Sequence, residues 1–354
     1  MTVRTLPGLD LDRLRAHLDA VTPQHAGLAW LSGGGRLEAE VVVGGRSNLT
    51  YVVTGGEREW VLRRPPLGHV LATAHDMSRE YRVMTALAGT PVPVPRTYLL
   101  CEDQDVLGAP FYLMERVHGS VYRDVEHTAT LGPQRASALA YRLVDTLADL
   151  HAVDPVSVGL ADFGRPEGFL ERQVRRWRTQ LEASRSRDVP GIDDLAERLA
   201  ANIPATVRTS IVHGDYRLDN VIVDTDESGT DRIAAVVDWE MATLGDPLTD
   251  LGLLVVYWER MPAVEDSPVA KGVGPEYGFP SAGALLDRYA ARSGTDLADL
   301  SWYVAFASLK LAVILEGIHL RYTQGKTVGE GFDRVATLVA PLVANGLATL
   351  EEDG

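Results

Sequence analysis

Residues 213–220 read HGDYRLDN, and an apolar run from Ile233 to Val237 then delivers Asp238 inside VVDWE. Asp215 and Asn220 stand five positions apart on a segment too polar for a strand and too irregular for a helix, so a loop can aim both side chains into one cleft. Transfer of a phosphoryl group to a hydroxyl asks little covalent chemistry of a protein. It needs a carboxylate near the attacking oxygen and oxygen ligands for Mg²⁺ beside the ATP phosphates. Asp215 suits the first task, and Asn220 with Asp238 suits the second. Reading Asp215 as a turn former leaves the spaced Asn and the later Asp unexplained. His213 either braces the loop through the backbone or moves a proton, and bracing is the reading carried forward. Asp219 reads as a solvated or loop-bracing carboxylate. Arg217 stands equally as a brace for the transferring phosphate or as a surface residue.

The D-x-x-x-x-N spacing with a downstream Asp is the protein-kinase arrangement with its accessory residues changed. A third motif, LGDPLTDLG at residues 244–252, follows in order. Together the three resemble the aminoglycoside phosphotransferase and choline kinase family, and within it the kinase-like domains found with, or fused to, acyl-CoA dehydrogenases. The resemblance covers residues from about 40 to 325. It implies an α+β, protein kinase-like two-lobed fold, with a small sheet-rich nucleotide-binding lobe over residues 1–117 and a larger helical lobe over 118–354. It also implies an ATP- and Mg²⁺-dependent O-phosphotransferase acting on a small-molecule hydroxyl. Family members act on aminoglycosides, choline, homoserine and hydroxyacyl thioesters, and the nearer subgroup suggests a hydroxyacyl-CoA-type acceptor. In such a family Asp246 and Asp250 brace the catalytic loop, and Glu240 is a candidate to reach the metal or substrate indirectly.

The first third of the chain fits this order. Leu11, Leu14, Leu18 and Val21 share one face of an expected helix over 10–21, capped by Asp10. Strands over Leu37 to Val43 and Thr50 to Val53 are joined by Gly44-Gly-Arg-Ser47-Asn48. Its glycines would let backbone N–H groups approach phosphate, and Ser47 and Asn48 can add donors. A plain hairpin turn uses the same residues, so only the downstream motifs favour the phosphate reading. In the next strand, Trp60 to Arg64, Arg63 occupies the kinase lysine position, which keeps the charge but changes its geometry. Glu80, on a helix over 76–87, is then its candidate partner, the alternative being an ordinary surface glutamate. Strands follow at Thr97 to Cys101 and Phe111 to Glu115. By resemblance, Met114 backs an adenine pocket, and the backbone of Glu115 and Val117 bonds the adenine edge.

The remainder reads as helical: residues 133–151, 166–184, 191–202, 281–292, 302–322 and 331–350. Arg172, Arg175, Arg176 and Arg178 crowd the second of these, either to recognise an anionic substrate or as a solvated face. The 302–322 segment is apolar on most sides and reads as the spine of the larger lobe, with Lys310, Glu316, His319 and Arg321 lining a pocket or forming buried ion pairs. Residues 259–280 read as an irregular, mobile segment.

Composition closes other routes. With 34 basic and 49 acidic residues the formal charge is -15, which repels a phosphodiester backbone and argues against nucleic acid. Gly, Arg or acidic residues interrupt each apolar run, so no membrane span is expected. The N-terminus lacks an apolar leader and Cys101 is the single cysteine, making the cytoplasm the expected location. A nucleotide-binding pseudokinase scaffold is the main alternative, supported by Arg63 alone. A metal-dependent hydrolase would want more ligands near His213, Asp215 and Asp238 than the sequence shows.

Overall fold

A computed structural model describes residues 6–22, 28–31, 35–42, 48–67, 76–262, 273–325 and 334–352. The chain forms two compact units, Met1–His118 with Ala235–Glu240, and Gly119–Ala234 with Met241–Gly354. The first thus takes in a short stretch around Asp238 that the sequence reading left with the second.

The first unit is built on β1 (Leu37–Val41), β2 (Leu49–Gly55), β3 (Arg58–Arg64), β4 (Thr97–Cys101) and β5 (Phe111–Glu115), with helices α1 (Leu11–Val21) and α2 (Met77–Leu87). The strands make one antiparallel sheet in the order β1-β2-β3-β5-β4. Side chains alternate across it. Tyr51, Val53, Trp60, Leu62, Phe111 and Leu113 pack with Leu14 and Leu18 of α1 in one core. The Asp10 carboxylate accepts from the N–H groups of Asp12 and Arg13, fixing where α1 begins. The intervening residues Arg63 and Tyr112, paired in the β3–β5 register, belong to the opposite set, and Tyr112 meets α2 through Glu80. Asp76 caps α2 in the same way as Asp10 caps α1. The connection between β4 and β5 contains a short helix, α3 (Gln104–Leu107).

The second unit is mostly helical: α4 (Val125–Ala129), α5 (Gly132–Ala152), α6 (Phe169–Ser184), α7 (Ile192–Ala201), α8 (Leu248–Val255), α9 (Ala282–Ser293), α10 (Leu300–Thr323) and α11 (Val339–Glu351). Two-stranded ribbons pair β6 (Ser210–Val212) with β9 (Thr243–Gly245), and β7 (Val221–Thr225) with β8 (Asp231–Val236). One π-helical turn, Val256–Arg260, continues α8 into what the sequence reading took as irregular chain. The last expected helix starts later than residue 331: a 3₁₀ turn, Val335–Leu338, precedes α11.

Helix α10 packs against α6, α7, α8 and α11, which explains why it is apolar nearly all round. It corrects one expectation: by length and composition it could cross a membrane, although 72% of its most apolar window is buried inside the protein. Its Glu316 carboxylate, 1% exposed, is met by Arg187 at 3.0 Å and the Ser186 hydroxyl at 2.7 Å, so a buried carboxylate is paired with an exposed guanidinium. Where α8 crosses α10, a Cβ on Gly252 would lie 2.4 Å from the Tyr303 carbonyl oxygen. Backbone cannot yield as a flexible side chain can. Gly252→Ala is therefore expected to destabilise the protein by about 1–3 kcal/mol, read as a lowered urea midpoint, and an unchanged midpoint would refute the close crossing.

Candidate active site

The sequence motifs assemble two clusters, one in each unit. In the second, Asp215 precedes and Asn220 ends a 3₁₀ turn, Leu218–Asn220, between β6 and β7. The Asn220 amide donates to the Asp215 Oδ2 at 3.0 Å and to the Asp215 backbone carbonyl at 2.8 Å. The Tyr257 hydroxyl donates to Oδ1 at 3.0 Å. Asp215 is thus a carboxylate held from both oxygens, with Arg217 Nε 3.7 Å away. The Arg217 guanidinium lies 4.9 Å from the Tyr257 ring centroid and 3.3 Å from Asp219, so it braces the loop on three sides. Burial pushes the Asp219 pKa up from its usual range, with Arg217 opposing.

A second carboxylate supports this loop from beneath. Asp250, fully buried on α8, accepts the backbone N–H of His213 and that of Gly214, each at 2.7 Å. His151 Nε2 lies 3.2 Å from it and is itself placed by Tyr289 at 2.8 Å. Burial alone would raise the Asp250 pKa, but the His151 contact and the His213 neighbourhood outweigh it and hold the carboxyl below its ordinary value. His213 Nδ1 accepts the Asp215 N–H at 3.2 Å, so its observed contact is a brace. Gly214 turns the chain at φ 84°, and a Cβ there would stand 2.7 Å from the Met241 carbonyl oxygen. Asp246 also builds the fold, accepting the Val207 N–H, the Leu248 N–H and the Tyr303 hydroxyl. Tyr257 was invisible to sequence reading. No spacing rule links it to Asp215, and only the π turn after α8 brings it there.

In the first unit, Arg63 Nε lies 3.1 Å from the Glu80 carboxylate, and its Nη2 reaches Asp238 Oδ1. Glu80 is 1% exposed and not a surface residue. It also accepts from the Tyr112 hydroxyl at 2.9 Å and the Asn48 amide at 2.8 Å. Burial drives the Glu80 pKa up while the Arg63 charge opposes it, and Arg63 is correspondingly held charged by its two carboxylates. The Asn48 amide reaches Glu240 as well, at 3.3 Å. Asp238 sits at φ 68°, the left-handed region, and among the described residues it is the one non-glycine there. Such a conformation is costly and persists where surrounding contacts over-determine it. Met114 is buried in β5, and the Glu115 N–H donates to the Arg96 carbonyl at 2.8 Å. Val117 follows the end of that strand. Ser47 and most of its loop lie outside the described residues, as does the middle of the 259–280 segment.

These features define the class: a kinase-like phosphotransferase fold, with an Arg–Glu pair under an antiparallel sheet and an Asp–Asn loop in a helical unit. Residues 38–300 match the model of the phosphotransferase enzyme family, and the chain belongs to that family. Acyl-CoA dehydrogenase family member 11 of Gallus gallus is 35% identical, over 88% of this chain and 40% of its own length. The chain therefore spans about two-fifths of the curated relatives of this kind. The crystal structure of a candidate aminoglycoside phosphotransferase of Ralstonia eutropha is 32% identical with a TM-score of 0.80, covering 97% of this chain and 98% of that one. The fold is also that of the aminoglycoside phosphotransferase APH(4)-Ia, solved with ADP and hygromycin B, at 17% identity and a TM-score of 0.56 over 90% of this chain and 95% of that one.

Proposed function

We propose that the protein is an ATP- and Mg²⁺-dependent O-phosphotransferase acting on a small-molecule hydroxyl. The observation that carries this is the immobilised Asp215 carboxylate, fixed by Asn220 and Tyr257 in a loop whose own backbone is held by Asp250. A carboxylate so placed orients an acceptor hydroxyl and takes its proton as the phosphoryl group arrives. Asn220 and Asp238 are the proposed metal ligands. An amide oxygen and a carboxylate are hard donors that suit Mg²⁺, and that ion commonly takes few protein ligands beside substrate phosphates. When bound, the metal ion supplies charge neutralisation at the phosphates. Arg63, aligned by Glu80, steadies the nucleotide phosphates. Ser47 and Asn48 belong to the loop over them, with Met114, Glu115 and Val117 at the adenine. Tyr257→Phe is expected to lower kcat about ten- to a hundredfold through loss of one hydrogen bond to a charged group, with little change in nucleotide affinity.

The likeness to acyl-CoA dehydrogenase relatives supports a hydroxyacyl-thioester acceptor over an antibiotic. Measuring Mg²⁺-dependent ATP consumption against hydroxyacyl-CoA compounds, amino alcohols and aminoglycosides tests this directly. The expected result is turnover with the first class. Turnover with aminoglycosides alone would overturn the acceptor assignment. A non-catalytic nucleotide scaffold is the second reading, favoured by the engagement of Asp238 with Arg63. Stabilisation by nucleotide with no acceptor phosphorylated would decide for it.

A further inference from the structure

The roles above use neither Lys310 of α10 nor the arginine run of α6. Lys310 Nζ donates to the Gly214 carbonyl at 2.7 Å, directly beside Asp215. An ammonium carries three donors, and this is its one hydrogen bond among the described residues. No carboxylate of those residues lies within 4 Å of it, Asp215 and Asp250 acting only from further away. Burial accordingly pulls its pKa below the ordinary lysine value. Lys310 is half-buried, and a cation partly withdrawn from water with no counter-ion in contact is under-paired, which leaves the site able to take negative charge.

The neighbouring groups have the same shortage. Nζ stands 5.9 Å from the centroid of the Trp177 ring, and Arg176 lies over that ring at 5.5 Å. Trp177 is 5% exposed, yet its buried Nε1–H finds no acceptor among the described residues. Buried indole N–H groups are ordinarily hydrogen-bonded. An under-used ammonium, an orphaned indole donor and a guanidinium are therefore gathered at one seam of α6 and α10, next to the catalytic loop.

We propose that Lys310, Trp177 and Arg176 form an oxyanion subsite that receives a carboxylate or phosphate group carried by the acceptor. The part played by the acceptor rests on the phosphotransfer reading; the anion site does not. It gives part of the α6 arginine run a function that sequence patterning left open. It also describes a substrate with two recognised ends, a hydroxyl at Asp215 and an anionic group at Lys310.

The experiment is a sulfate titration of the 354-residue chain labelled with ¹⁵N at its six tryptophans, against sodium chloride at matched ionic strength. The Trp177 indole resonance is assigned by its loss in Trp177→Phe. Saturable movement of that resonance in the wild type and in Lys310→Arg, weakened roughly fivefold or more in Lys310→Met, is expected for a charge-assisted contact. Movement no larger than with chloride, or equal in Lys310→Met, overturns the subsite. Should Lys310→Met not fold, Arg176→Ala takes its place on an exposed side chain and is expected to weaken sulfate severalfold; unchanged affinity overturns the proposal. In the turnover assay, hydroxyacyl-CoA compounds should be preferred over the same hydroxyacyl groups on phosphate-free pantetheine in the wild type and not in Lys310→Met. Sulfate binding without that preference overturns the acceptor's share and leaves an anion site that serves something else. Absence of any phosphotransfer removes the acceptor's share together with the proposed function, while the indole titration still decides the subsite.

Discussion

Asp215→Ala is expected to lower kcat by about 10²- to 10⁴-fold while leaving the protein folded, because general-base catalysis and hydroxyl alignment are worth that much. The carboxylate is partly exposed, its side chain 29% accessible, so its removal opens no core cavity. The change does leave the Asn220 amide and the Tyr257 hydroxyl each without one acceptor. The cost of that is modest at a solvent-reached site, and the thermal midpoint should move little. Nucleotide affinity should also be retained, since the proposed phosphate contacts come from other residues. Kinetics, thermal unfolding and nucleotide titration on one variant separate the cases. A variant with near wild-type turnover would remove Asp215 from the chemistry. A variant that lost nucleotide binding and activity together would place it instead among the nucleotide contacts.

Asp250→Ala is expected to act in the opposite way, through stability. It removes a buried carboxylate that accepts two backbone N–H groups and faces His151, leaving three donors without their partner. Breaking one side of such a network costs about 3–5 kcal/mol. Asp250→Asn keeps the shape and one acceptor oxygen and should cost less. The pH dependence has a fixed sign. The folded-state pKa of Asp250 is depressed below its ordinary value of 3.8, so its stabilisation is present above that value. It is lost as pH falls through the lower, folded-state value. The difference in unfolding free energy between wild type and Asp250→Asn should therefore be largest near neutrality and shrink in strong acid. A difference that grew on acidification would show that the carboxyl is not the ionised acceptor inferred from its contacts.

Much of this was written in local patterns. The apolar spacing of α1 and α2, with the Asp10 cap of α1, marked those helices to within a residue, because an amphipathic period and a capping side chain are both short-range signals. The β4 and β5 limits were equally plain from their apolar runs. Pairing of Arg63 with Glu80 followed from motif order, and the register of β3 against β5 shows its physical basis. What escaped was non-local. The three-residue strands β6 and β9 are too short to carry a period, and their pairing depends on chain closure. Tyr257 reaches Asp215 through a π turn that no residue pattern announces. The side-chain amide of Asn48 bonds Glu80 and Glu240, 32 and 192 positions away, which no local pattern announces. Lys310 was noticed as a charge on an apolar helix, but its target, one backbone carbonyl, leaves no trace in sequence.

The placement of α10 bears on how the polypeptide is made. Helices α6, α7 and α8 leave the ribosome before it, and each turns an apolar face toward a partner that has not yet been synthesised. Until residue 323 has cleared the exit tunnel, those faces have only one another or a chaperone to cover them. The same holds for the Asp250 support, whose helix is held in place largely by α10. Truncations inside α10 should therefore yield aggregated nascent chains, whatever the soundness of everything upstream, and lesions in this late helix should be felt as lost protein before they are felt as lost turnover.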